Sequence, residues 1–425
     1  KADSENEMPR YLLLFGDGTF DNRMITDAWK TRSPKDYLLI YEDNDYYETT
    51  TENVIGEIVS YPSDDYFGLL DDGEGSNLKT EKVDLGIGRF VCNNTTNAQT
   101  LVDKSIAYLQ NQRTGSWKNR IVMIGDAPRN TDIGDKNAHM KDAERTANVI
   151  LSASEGQLNI RRIYPDFYEQ LMTATGYRYP KATEVLTEEI KRGALMFNYS
   201  GHGSPAQISH SYIFESSDWE NVSSEALPLW VLASCEILPY DQEQNDFGRN
   251  ALFAPKGGAV AFMCASRAVY ATENNALNIA FCEALVRRND NSTYNTFGDA
   301  LRIAKNKLIS SAQDRGINKL KYIIAGDPSL RLMQPTLNIV VDAINGEAIY
   351  ENESKELKAG SIATFEGYVE NETDFTGILT ATLYDKIDLL TCRNNGNVAD
   401  EAFEYAERSK IVFNGSDSIK NGRFK

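Results

Sequence analysis

Cysteine is scarce. The 425 residues hold five, Cys92, Cys235, Cys264, Cys282 and Cys392, and no CxxC spacing occurs among them. An odd count leaves at least one thiol free in a monomer, and zinc patterns built on paired cysteines are excluded. Histidine is scarcer still, with three in the chain, too few for a His-rich metal site. Basic residues are outnumbered, 44 Lys and Arg against 62 Asp and Glu, for a net charge of −18. Such a balance argues against nucleic acid as a partner, because that binding needs clustered cations to displace counterions. It also argues against adhesion to anionic lipid. No run of about 20 apolar residues is present, so no segment reads as a membrane-spanning helix. The first ten residues, KADSENEMPR, are polar and acidic and do not form a signal peptide. Residue 1 is Lys, so the chain reads as a processed product or a fragment.

What is present is globular. Hydrophobic residues make up 41%, charged 25% and aromatic 10%, which rules out a disordered tail. The length suits two or three domains of roughly 100–200 residues each. Up to residue 335, short apolar runs alternate with amphipathic helical patterns. YLLLF (11–15), YLLIY (37–41), DLGIGRFV (84–91), RIVMIGD (120–126), NIRRIYPDFY (159–168), ALMFNYSGHGS (194–204), LPLWVLASCE (227–236), GGAVAFMCAS (257–266) and KYIIAGDP (321–328) read as strands entering loops. Helices are expected over 97–112, 141–153, 182–193, 275–288 and 297–311, the first capped by Thr95 and Thr96. This pattern predicts an α/β fold: a mostly parallel sheet with helices on both faces. We divide it into a first α/β subdomain, 1–118, lacking its N-terminal part, and a catalytic α/β subdomain, 119–335.

Residues 336–425 change character. LNIVVDAI, SIATFEGYVEN, GILTATLYD and KIVFNG are alternating strands separated by turns, as in an all-β sandwich of immunoglobulin type. About five strands fit where seven are usual, so the module is expected to be truncated.

Chemistry in a parallel sheet gathers at the carboxyl ends of strands. The strand ending in NYSGHGS carries His202, and the next one, ending in SCE, carries Cys235. If these strands are neighbours, imidazole and thiol emerge side by side. A neutral thiol needs such a base to become the nucleophile. The glycines around His202 allow a sharp turn and close approach. Backbone N–H groups at Gly203 and Cys235 are candidates for an oxyanion hole. A strand-end cysteine taken alone is more often core, and a histidine between glycines can be a turn residue; the joint arrangement favours chemistry. The acidic loop 62–82 offers Asp71, Asp72 and Glu74 to a structural calcium ion, although such runs are usually solvated surface. Tyr46, Tyr47, Tyr66 and Phe67 are candidates for a contact surface or for loop anchors.

The ordered set LFGDGTFDNR, DLGIGRFV, NIRRIYPDFYEQ, NYSGHGS, SCE, GGAVAFMCASRAVYATENNALNIAF and AGDPSLRL resembles the gingipain family of cysteine peptidases. These peptidases have a caspase-like fold. Within the family the set is most similar to the PorU-type sortases of the type IX secretion system. The resemblance spans roughly residues 10–335. It implies His202 as general base and Cys235 as nucleophile, with Asp126, at the end of RIVMIGD, as the carboxylate orienting the histidine. It implies no required cofactor and no catalytic metal. For the sortase branch it further implies cleavage of the C-terminal signal domain of secreted cargo proteins through a Cys thioester. The new C-terminus passes to an amine of surface lipopolysaccharide. The setting is the cell surface, with peripheral attachment to the bacterial outer membrane beside a barrel partner of PorV type. The alternatives are a gingipain-like endopeptidase that hydrolyses peptides and an inactive surface scaffold.

Overall fold

The computed structural model describes residues 8–27, 29–44, 60–110, 115–129, 135–174, 176–242, 245–289, 293–350, 355–358 and 360–425. Tyr46 and Tyr47 lie outside them. Eight strands form the main sheet: β1 Tyr11–Phe15, β2 Gly86–Phe90, β3 Arg120–Gly125, β4 Asn159–Ile163, β5 Met196–Ser200, β6 Leu229–Ala233, β7 Ala261–Ala265 and β8 Tyr322–Ala325. Their order across the sheet is β1-β2-β8-β7-β6-β5-β3-β4. All neighbouring pairs are parallel except β7 with β8, where Phe262 faces Ala325 and Ala265 faces Tyr322. KYIIAGDP therefore enters the sheet against the direction of β3 to β7.

Helices cover both faces. The strands β5, β6 and β7 are buried along their whole length, as double coverage requires. On one face Phe197, Trp230 and Phe262 are register partners on β5, β6 and β7. The Phe197 and Trp230 rings stack at 4.6 Å, and Trp230 lies 6.4 Å from Phe262. Leu101 from helix α1 (Thr95–Gln110) closes over this layer. So do Leu186 and Ile190 from α3 (Pro180–Arg192), and Phe247 and Ala251 from α4 (Phe247–Phe253). On the other face Asn198 donates to Asn278 of α5 (Ala271–Val286) at 2.7 Å, and Asn278 reaches Thr146 of α2 (Ala138–Ala153). A one-residue slip would exchange the aromatic and amide faces, so this layer fixes register. It thereby fixes which residues end level at the sheet's edge.

Several expectations need correcting. YLLIY is not a sheet strand: Leu39 is 75% exposed, and only Glu42–Asp43 pairs, with Tyr61–Pro62. The helix expected over 141–153 begins at Ala138. The Asn94 side chain, rather than Thr95 or Thr96, accepts from an N–H of the first turn of α1, that of Asn97. Residues 1–118 and 119–335 do not separate, because β8 pairs with β2 and joins both series in one sheet. Contacts instead group Lys1–Met333 with Thr391–Glu404 in a first unit, and Gln334–Leu390 with Tyr405–Lys425 in a second. The second unit is all-β, as expected of an immunoglobulin-like module. It holds Ile339–Ile344 and Phe365–Val369 in a four-stranded sheet, and a Gly377–Tyr384/Ile411–Ile419 ladder. Val369, Ile419 and Phe424 form its small core.

Candidate active site

The register built by the aromatic layer continues to the ends of the strands. Ser200 of β5 faces Ala233 of β6, and Gly125 of β3 faces Ser200. Two residues past those ends stand His202 and Cys235. The loops are pressed together: a Cβ on Gly203 would lie 2.3 Å from Ser234 Oγ and 3.1 Å from Cys235 O. A Cβ on Gly201 would lie 2.3 Å from the Tyr199 hydroxyl. Both flanking glycines thus answer to close approach. Gly203 opens a short hairpin in which it faces Ile208. The Ser209 N–H bonds to His202 O beside that pair, so the hairpin ladder does not use the Gly203 N–H.

Of the five cysteines Cys235 alone is half-buried, and the other four are buried. Its Sγ lies 3.4 Å from both the N–H and the carbonyl of Val269. Burial pushes the thiol above its ordinary pKa. The Val269 N–H opposes that rise, the Glu236 carboxylate adds to it, and Lys321 opposes it. Burial thus favours the neutral thiol over the thiolate. Lys321 itself is buried, donates to Ala268 O at 2.8 Å, and is pushed down to about 8 by desolvation. Glu236 follows Cys235 at φ 44°, in the left-handed region. Glu236→Gln removes one of the two influences that raise the thiol's pKa. The pH midpoint of Cys235 alkylation by iodoacetamide should then move down by a few tenths of a unit, Glu236 being half-exposed. An unchanged or higher midpoint would contradict this account.

The carboxylate at the imidazole is Asp135, not Asp126. Asp135 Oδ2 lies 3.0 Å from His202 Nε2. Asp126 is also at the site, 3% exposed, but meets His202 through the backbone. It accepts from Ser209 Oγ at 2.6 Å, Ala127 N at 2.9 Å and His202 N at 3.2 Å. The Tyr199 hydroxyl lies 3.1 Å from it and donates to His202 O at 2.6 Å. Burial, with Asp126 second, holds that phenol well above its ordinary pKa, so it stays a neutral donor. Asp126 shapes the loop, and Asp135 touches the ring.

No strand end or helix pattern marks Asp135, because it lies in the turn that precedes Ala138, the first residue of α2. Lys136 stands between at φ 34°, so no helical periodicity signals the approach of Asp135 to His139. His139 Nε2 lies 3.0 Å from Asp135 Oδ1. The third histidine is here too: the His202 ring centroid is 5.0 Å from His139 and 4.2 Å from His210. The loop bearing Asp135 is braced by the segment Thr391–Glu404. Lys136 pairs with Asp400, and Asn137 donates to Glu401 O at 2.9 Å. The same segment is anchored by Asp166, whose carboxylate accepts from the N–H groups of Asn394 and Asn395 at 2.9 Å each.

The acidic loop gathers no comparable cluster. Glu74 accepts from Asp71 N, while Glu81 takes the N–H groups of Gly75 and Asn77. Among the described residues the one group of three potential ligands is Asp135, His139 and His202. Tyr66 is an anchor of its own loop, stacked on Tyr41 at 4.5 Å.

The model of Peptidase family C25 matches residues 1–333. The chain belongs to that family. It is a gingipain-like cysteine peptidase. Among solved structures it is similar to the Arg-specific cysteine proteinase gingipain R, at 18% identity and a TM-score of 0.55, over 99% of this chain and 77% of that one. It is likewise similar to the complex of RgpB pro- and mature domains from Porphyromonas gingivalis (18%, TM-score 0.53, 99% and 79% covered). These likenesses establish the caspase-like fold. Dimeric latent PorU from Porphyromonas gingivalis matches at 21% identity and a TM-score of 0.39, over all of this chain and 33% of that one. Comparison with curated proteins returns no match.

Proposed function

We propose that this C25 peptidase is a cysteine sortase of type IX secretion. It removes the C-terminal signal domain of secreted cargo and joins the new C-terminus to an amine of surface lipopolysaccharide. The observation that carries the peptidase chemistry is the level emergence of His202 and Cys235 from adjacent strands, with Asp135 on the imidazole. With Nε2 facing Asp135, His202 works on the thiol through Nδ1. It takes the Cys235 proton as sulfur attacks the carbonyl carbon. The carbonyl electron pair moves to oxygen, facing the N–H groups of Gly203 and Cys235. As the C–N bond breaks, His202 returns the proton to the leaving amine, and a thioester remains. The incoming amine then attacks the thioester, loses its proton to His202, and releases Cys235 as the thiol.

Transfer rather than basic-residue-selective hydrolysis is favoured by the ordered sequence segments and by the state of two carboxylates on α2. A pocket for Arg or Lys needs a carboxylate without a cation of its own. Asp142 already holds Arg145 at 2.7 Å, and Glu144 holds Arg162 at 2.6 Å with the Tyr164 hydroxyl at 2.6 Å. The enzyme works at the outer-membrane surface beside a barrel partner of PorV type, and needs no cofactor for the acyl transfer. Incubation with a cargo protein and glycinamide should give amine-capped product by intact mass. Exclusively hydrolysed product, or cleavage of short peptides after Arg or Lys at any position, would favour the endopeptidase instead.

A further inference from the structure

The three histidines of this chain, scattered over 72 positions from 139 to 210, meet in one place with one carboxylate. Asp135 Oδ1 and Oδ2 lie 3.0 Å from the Nε2 atoms of His139 and His202 respectively. One ligand atom from each of the three residues lies within 4.8 Å of the other two. Metal–ligand bonds of about 2.0–2.1 Å at tetrahedral angles place neighbouring ligand atoms roughly 3.3 Å apart. Each carboxylate oxygen now holds one imidazole, so an ion would take one oxygen and draw in the second nitrogen from within 4.8 Å. The two imidazole planes stand at 84°, so both nitrogens face the carboxylate between them without the rings stacking. His139 and Asp135 are nearly enclosed, with 9% and 8% of their side chains exposed, while His202 at 30% opens to solvent. Two buried ligands and one accessible ligand describe a held site with an entry path. A Cys–His mechanism has no chemical use for a second imidazole on the same carboxylate.

We infer that Asp135, His139 and His202 form a reversible site for a divalent transition metal of the zinc type. A His₂Asp donor set suits such an ion, where calcium and magnesium demand oxygen ligands. Water completes four-coordination. On the reading of His202 as base, which this consequence rests on, an ion at Nε2 turns the Asp135 carboxylate to itself and leaves the imidazole proton on Nδ1, so the metal-bound enzyme cannot take the thiol proton and a chelator restores it. The device stores the peptidase in an inactive state wherever free zinc is high.

The test is isothermal titration of the full chain, stripped with EDTA, with Zn2+ alone. One ion per chain is expected, with affinity lowered roughly 100-fold or more in His139→Ala, since loss of a direct ligand exceeds the 10–100-fold typical of outer-shell changes. Co2+ should give wild type the intense visible absorption of four-coordinate cobalt, and this band should vanish in His139→Ala and in His202→Ala. Circular dichroism of the variants separates lost binding from lost fold, and the wild-type cobalt spectrum stands independently of any variant. If wild type binds no stoichiometric Zn2+, or His139→Ala binds it as well as wild type, His139 only braces Asp135 and the metal site does not exist. Binding without cleavage of the cargo protein would sink the base assignment and leave the site standing. Cleavage without binding would do the reverse.

Discussion

Cys235→Ala is expected to lower kcat/KM for peptide or cargo cleavage by roughly 10⁴-fold or more, the order of loss when a peptidase is stripped of its nucleophile. The other four cysteines cannot substitute, because all are buried, and burial holds those at 92 and 392 up to about 11 and about 12. His202→Ala should fall nearly as far. The double variant should be no worse than either single one, since the two groups act in one proton transfer. Asp135→Asn tests the geometry more sharply. It keeps the volume but replaces the charge at Nε2, and should reduce kcat/KM by roughly 10²–10⁴-fold, as the loss of an orienting carboxylate does in a triad. Asp126→Asn should act differently. Its amide would set an NH₂ against the N–H and O–H donors that now converge there, loosening the His202 loop. That variant should lose activity and unfolding midpoint together, whereas Asp135→Asn should lose activity with a far smaller change in midpoint. Steady-state kinetics beside chemical denaturation reads both. Equal midpoints with a larger activity loss in Asp126→Asn would return the orienting role to Asp126.

Arg89→Leu should destabilise the first unit by about 3–5 kcal/mol, the usual consequence of removing one member of a buried ion pair. Arg89 is fully buried in β2. Its Nε and Nη2 bond Asp64 at 2.9 and 2.6 Å, and Nη1 bonds Gly16 O at 2.7 Å. The guanidinium lies 4.6 Å over the Tyr240 ring, and the Tyr240 hydroxyl donates to Asp64 at 3.0 Å. One side chain thus ties the loop after β1, the 60s loop and the loop after Cys235 to the sheet. Leucine leaves the Asp64 carboxylate, 3% exposed, with the phenol as its remaining side-chain partner. Guanidinium chloride unfolding checks the value. Arg89→Leu with Asp64→Leu should recover part of the loss, because no uncompensated charge then remains. A shift under about 1 kcal/mol in the single variant would show that Asp64 is reached by water.

Much of the site was legible because its signals are local. Apolar runs stopped by GHG and SCE mark strand ends in any parallel sheet, and consecutive strands joined by one crossover tend to be neighbours. The sequence by itself determined the alternation that makes an α/β sheet, the adjacent strand ends that carry His202 and Cys235, and the all-β character of the second unit. It did not determine direction at β8, whose YIIA reads alike in either sense. Nor did it show that YLLIY stays unpaired: apolar β-branched runs look the same with or without a partner strand.

Only the tertiary structure decided which carboxylate serves the histidine. Asp126 is nearest along the strand-end logic, yet Asp135 reaches Nε2 across 67 positions of sequence, from the turn before α2. It decided too that Thr391–Glu404 braces that turn, and that two histidines 63 positions apart share one carboxylate. Spacing along a chain constrains contacts within one element, where 3.6- and 2-residue periods hold. Contacts between elements depend on how loops close, and loop closure costs so little more with each added residue that sequence separation says almost nothing about who meets whom.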